Sequence, residues 1–194
     1  MSKSDPCSHK KERNKTIRWV VTIFFVTIFV SGMISMISDE IMANSSMAIA
    51  FLILLAIVLI GILFDIIGVA VTSADEKPFH SMAARKVPGA YEAISLLRNA
   101  ERVSSICNDV VGDICGVVSG SASATIAAQI LSNFEFSWPQ VVSLLMSALV
   151  AGVTVGGKAI GKTVAMGSCT DIVHMVGKFI FQLHRMTRFF KKKK

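Results

Sequence analysis

The sequence predicts an all-α, polytopic membrane protein with four transmembrane helices, and three observations predict it. The chain has 194 residues, 53% of them hydrophobic and 17% charged, with a mean hydropathy of +0.61. A soluble domain carries about 25% charged residues. The apolar residues collect in long runs that reach the roughly 17 to 25 residues a bilayer-spanning helix needs. Finally, all 20 Lys and Arg residues fall on one side of the topology those runs define.

Residues 1–16 read as a basic cytoplasmic leader. The run "IRWVVTIFFVTIFVSGMISMI", 17–37, is an extra N-terminal transmembrane helix. It is read as retained rather than cleaved, because the leader is long, the apolar run exceeds about 15 residues and no A-x-A site closes it. Residues 46–168 form the main transmembrane domain. Its first span, about 47–71, contains one charge, Asp65. Residues 73–101 read as short cytoplasmic helices broken at Pro88–Gly89, with Ser73 and Glu76 spaced as a capping box. His80 there reads as a surface histidine.

The next span, about 103–131, carries Asn108, Asp109 and Asp113 and is rich in small residues, as suits a helix buried among others. The last span covers about 140–163. In 169–194, Ile172, Val173, Val176, Phe179, Ile180, Leu183 and Phe190 recur at helical spacing opposite Lys178, Arg185 and Arg188, and "KKKK" closes the chain. That pattern predicts an interfacial amphipathic helix, whose basic residues near anionic lipid contribute about 1 kcal/mol each. Lipid is therefore expected as its partner, and nucleic acid is not.

Four crossings place segments 1–18, 73–102 and 158 onward on one side. The opposite loops, around Ser38–Ser46 and Ser132–Pro139, hold Asp39, Glu40 and Glu135 and no basic residue. The positive-inside rule then predicts a multi-pass cell-membrane protein with both termini cytoplasmic. Cys7, Cys107, Cys115 and Cys169 form no C-x-x-C pair and read as structural.

The stretch "GGKAIGKT", Gly156 to Thr163, fits the phosphate-loop pattern. That loop needs a strand of about four to eight residues before it, whereas an apolar run of transmembrane length precedes this one. No nucleotide, and no enzymatic activity, is expected. The glycines read better as packing residues: Gly112, Gly116 and Gly120 in the third span, and Gly152 with Gly156 and Gly157 with Gly161 in the fourth. Small residues four apart let helix backbones approach closely in lipid, so spans three and four are expected to form the packed centre.

Charged groups inside spans are the second functional clue, since each costs about 2.5 to 3.5 kcal/mol at a helix centre. Asp65, Asn108, Asp109 and Lys158 are each expected about 10 Å inside the membrane, at about 1.5 Å per residue. Ser105, Asp109 and Asp113 share a helical face. Two readings stay open: an ion pathway built from these oxygens, or buried pairs of Asp with Lys158 that only hold helices together.

Three signatures, in order and spacing, resemble the membrane domain of the CorB/CorC and cyclin-M (CNNM) magnesium and cobalt transporters. "FDIIGVAVTS", 64–73, is similar to the end of that family's first span. "NAER", 99–102, is similar to the N-P-E-R before its second, and "GKAIGKTVA", 157–165, to the G-E-x-x-P-K motif closing its third. Lys158, Gly161 and Gly68 depart from the family's Glu, Pro and acidic residue. The resemblance covers about residues 50–175 and lacks the family's regulatory domain pair. It implies a homodimer that transports or binds a divalent cation, Mg2+ or Co2+, with Mg2+ the candidate bound ion. Of the family's hydroxyl and amide ligands, Ser105 and Asn108 carry over, with register ambiguous between Asn108 and Asp113. The expected cation pathway is thus Ser105, Asn108, Asp109, Asp113 and Asp65, with Lys158 and Lys162 as ion-pair or gating residues. The alternative is a non-transporting scaffold with an internal Asp/Lys network.

Overall fold

A computed structural model describes residues 6–43, 45–133 and 138–191, all helix and short turns with no strand among them. The helices are α1 (Pro6–Ala43), α2 (Met47–Ser73), α3 (Lys77–Ala84), α4 (Ala90–Arg98), α5 (Ala100–Ser105), α6 (Gly112–Asn133), α7 (Pro139–Gly167) and α8 (Cys169–Lys191). A π-helical segment, Ile106–Val111, joins α5 to α6. Residues 1–5 of the leader, Asn44, Glu135 and Lys192–Lys194 lie outside the described residues, as do the side chains of Cys7, Arg188 and Phe190. Four stretches are long and apolar enough to cross a membrane: Ile17–Met42, Met47–Ser73, Ala100–Asn133 and Pro139–Gly167. The chain is an all-helical membrane protein.

Several boundaries differ from the sequence reading. α1 runs unbroken from Pro6 to Ala43; its membrane-length apolar stretch starts at Ile17 and reaches Met42 rather than 37. Its far end is held by α6. The Gln129 amide donates to the Met42 carbonyl at 2.8 Å, and the Thr125 hydroxyl to Asp39 Oδ1 at 3.5 Å. Those bonds keep Asp39 and Glu40 helical where a loop was expected. α7 likewise continues past 163 to Gly167.

The capping box is not formed. Ser73 is still inside α2, and Glu76 precedes α3 without a side-chain cap bond. The Glu76 carboxylate instead meets His80 Nε2 at 3.3 Å and Arg98 Nε at 3.9 Å, tying α3 to α4. The break at Pro88–Gly89 is as expected: Gly89 starts α4 with φ 88°, a left-handed conformation that glycine adopts without steric cost.

α2 is the centre of the bundle, a place expected for the third and fourth spans. In lipid the apolar effect does not choose which helix face packs, so contact faces are marked by small and polar residues. Ala50, Leu54, Val58, Gly61, Asp65 and Gly68 form one buried line along α2 at three- and four-residue steps. Toward one end this line packs with Met42, Ala122 and Ile126 of α1 and α6. Toward the other, Ala70 and Val71 meet Phe79, Ala83, Ala90, Ala93, Ile94 and Leu97 of α3 and α4.

α8 closes that second cluster with Val173. A Cβ on Gly177 would lie 2.5 Å from the Gly89 carbonyl oxygen, so the α4 and α8 backbones cross in contact. The apolar side of α8 is therefore divided. Val173 is buried and Ile172, Val176 and Ile180 are half-buried, while Phe179 is 64% and Leu183 46% exposed.

Candidate functional site

The site follows from how α2 meets its two neighbours. A Cβ on Gly61 would come 2.9 Å from Cys115 Cβ, and one on Gly68 would collide with Asn108 Oδ1. These two contacts fix α2 antiparallel to the π segment and α6. On the other flank Gly157 meets Ile62 and Gly161 meets Ile66, which fixes α7 parallel to α2. Glycines at all four positions let the backbones close where larger side chains would hold them apart.

Asp65 lies on α2 one turn from both Gly61 and Gly68, and only 5% of it is exposed. In the register set by those contacts it stands level with Gly112. Its Oδ2 is buried without a hydrogen-bond partner, and so is Asn108 Oδ1. The Asn108 amide is oriented by its Nδ2, which donates to Ser104 Oγ at 3.2 Å. Burying a polar oxygen unpaired costs about 1 to 3 kcal/mol, more for a charged one. Two such atoms one helical turn apart on the same seam therefore mark this region as the most unusual polar environment in the spans.

The π segment lies at the same place. Its extra residue per turn lets the Gly112 N–H bond to the Cys107 carbonyl, five residues back. Such insertions are frequent at functional sites. Lys158 reaches the same level from α7. Its side chain is half-buried, and its Nζ lies 3.4 Å from where a Gly112 Cβ would be, within electrostatic reach of the Cys115 thiol.

The structure thus brings together Asp65, Asn108, Gly112 and Lys158. It turns Asp109, Asp113, Gly116 and Gly120 outward, all four exposed. Asp109 and Asp113 each follow an inward-facing position by one residue, about 100° around the helix. Asp109 accepts a hydrogen bond from the Ser105 hydroxyl at 2.7 Å and forms no ion pair with Lys158. The joint pathway of three aspartates is not assembled: among the described residues no three His, Cys, Asp or Glu side chains gather to hold a metal. Of Asn108 and Asp113, Asn108 is the one that faces α2.

The glycine seam also needs correcting within this chain. Gly116, Gly120, Gly152 and Gly156 have open space where a Cβ would point. Lys162 is exposed, and all of "GGKAIGKT" lies inside α7, where the backbone forms a helix and no phosphate-cradling loop. Cys107, Cys115 and Cys169 are free thiols.

Sequence reasoning missed Ser104 and the positioning glycines Gly61 and Gly68. Their signal was present: small residues at i and i+7 flanking an aspartate at i+4, in a helix otherwise almost wholly aliphatic. No protein-family model matches this chain, and no curated protein or solved structure matches it either. The fold and site define a helical membrane protein with a polar seam between its helices.

Gly68→Ala should destabilise the protein by about 1 to 3 kcal/mol, the usual effect of overpacking. In an Asn108→Ala background the same change should cost far less, because the colliding amide is gone, and residues in contact are non-additive. Thermal unfolding in detergent of the two single variants and the double variant checks this. Equal losses in both backgrounds would refute the contact.

Proposed function

We propose that this protein is a multi-pass membrane protein that binds and moves a divalent cation, Mg2+ or Co2+, at the α2 seam. The observation that carries the reading is the pair of buried acceptors, Asp65 Oδ2 and Asn108 Oδ1, neither with a hydrogen-bond partner. Hard cations take oxygen ligands, and Mg2+ is commonly held by one or two carboxylates while keeping several waters. One carboxylate and one amide oxygen suit that chemistry. An ionisable group inside a span is by default a functional candidate, and the resemblance to CorC-type membrane domains supports the same class of cargo.

The orientation proposed is that of the charge distribution, with both termini and α3, α4 and α8 in the cytoplasm of a cell-membrane protein. The exposed apolar side of α8, Met175, Phe179, Leu183 and Met186, would then lie on the inner leaflet. A membrane-impermeant thiol reagent should label Asn133→Cys from outside the cell. Labelling from the cytoplasmic side alone would reverse the topology.

We further propose a homodimer. The outward stripe of the third span, Asp109, Asp113, Gly116, Gly120, Ala124 and Ala128, is exposed on this chain and ill suited to lipid. Its small residues suit close approach of a second copy. Gly116→Leu should disrupt assembly on size-exclusion chromatography, and Val117→Leu should not. Identical elution of the two would contradict a dimer through this stripe.

A second reading is favoured by one observation, the Lys158 ammonium at the level of Asp65. On that reading the protein is a scaffold, and Asp65 and Lys158 balance each other without cargo. Thermal stability against Mg2+ concentration separates the two. A bound cation stabilises by RT ln(1 + [L]/Kd), about 2.7 kcal/mol at 100 times Kd. On the transport reading the midpoint rises with log[Mg2+], and Asp65→Asn abolishes the rise while Asp109→Asn and Asp113→Asn keep it. On the scaffold reading there is no metal response. Asp65→Asn and Lys158→Met then each cost about 3 to 5 kcal/mol, and the double variant recovers most of it.

A further inference from the structure

Lys158 has no place in a two-oxygen cation site, yet α7 delivers it there. Gly157, the preceding residue, is held against Ile62 of α2, so the base of the lysine stem is fixed one turn from Asp65. The stem crosses to the π-helical end of α6, where Gly112 presents bare backbone. The point 3.4 Å from the ammonium is also 3.6 Å from the Cys107 carbonyl oxygen. An ammonium seated there has a carbonyl dipole nearby and room that any branched side chain at 112 would remove.

Asp65 is the one charged side chain among the described residues that is buried, and Lys158 approaches its level from a different helix. The two do not close into an ion pair. Ion pairs do form at Glu76, with His80 and Arg98. A long flexible stem ending in a compact point charge can both serve and leave such a position.

We infer that Lys158 is a tethered counter-cation: without cargo its ammonium balances Asp65 from the seat over Gly112, and a divalent cation binds only by displacing it. The inference rests on the cation-site reading above. It makes Lys158 a residue that sets the concentration range of the site, because each binding event must overcome the charge already present. A neutral residue at 158 should tighten binding, where a ligand-organising or purely structural lysine would loosen it or leave it unchanged.

The test uses the full chain in detergent, titrated with MgCl2 and followed by thermal unfolding, for the unmodified protein, Lys158→Met, Lys158→Gln, Lys158→Arg and Asp65→Asn. Lys158→Met should lower the Mg2+ concentration at half-maximal response by on the order of tenfold or more, as expected when a unit charge is removed beside a divalent ion. Lys158→Gln should act in the same direction, and serves if the Met variant does not fold. Lys158→Arg should stay near the unmodified value. An unchanged or raised half-maximal concentration in both neutral variants, with a normal response in the unmodified protein, would overturn the inference and leave the cation site standing. No Mg2+ response in any protein, Lys158→Met included, would overturn the cation site and the displacement with it. A response in Lys158→Met alone, abolished by adding Asp65→Asn, would support the tethered charge most strongly.

Discussion

The close approach of α2 to α6 and α7 is the constraint on which the rest depends. It is made by glycines, Gly61 and Gly68 facing the third span, Gly157 and Gly161 of α7 facing Ile62 and Ile66. In lipid, where neighbouring tails are as apolar as leucine, association rests on such packing and on polar contacts. Once the backbones touch, side chains that lie between the contacts are buried. Asp65 lies between Gly61 and Gly68, so the packing that stabilises the bundle also buries this carboxylate. Structure and candidate function share a single seam.

That seam explains why the π segment matters. An α-helical third span would carry Asn108 and Gly112 in strict register with the residues above them. The insertion at Ile106–Val111 shifts that register so that Asn108 packs on Gly68 while Gly112 faces the lysine from α7. At the α3/α4 end, α8 crosses α4 at Gly89 and Gly177 and closes the cluster over Ala70 and Val71. The last turns of α2 are therefore braced, and Asp65 sits just beyond that brace. Movement of α8 at a membrane surface would be transmitted first to the end of α2 nearest the site.

Much of the fold was legible in the sequence, and the reasons are physical. Span number follows from apolar run length, and the α3/α4 break from Pro88–Gly89. Boundaries were less legible where tertiary hydrogen bonds override local polarity, as at Asp39 and Glu40, held helical by Thr125 and Gln129. The site was partly legible. Asp65, Asn108, Gly112 and Lys158 were identified as residues, but Asp109 and Asp113 were grouped with them although both side chains are exposed. Inside a helix whose residues are nearly all apolar, hydrophobicity carries no rotational information. The helix-facing line of α2 is written instead in Gly61, Asp65 and Gly68. The π insertion leaves no such trace, and it decides which of two adjacent polar residues, Asn108 or Asp109, points inward.

The register of α2 against α6 is the central claim, and a disulfide measures it directly. A Cβ at position 61 would lie 2.9 Å from Cys115 Cβ, so the two positions face each other, and a small separation of α2 from α6 brings them into the roughly 3.5 to 4.5 Å range of a disulfide. Gly61→Cys in native membranes, mildly oxidised, should form an intramolecular bond to Cys115 within minutes, and Cys115→Ser should abolish it. Cysteine at Leu63, on the exposed side of α2, should not react with Cys115. Efficient crosslinking from position 63 and none from position 61 would contradict the register. Asp65 would then be turned away from Asn108, Gly112 and Lys158.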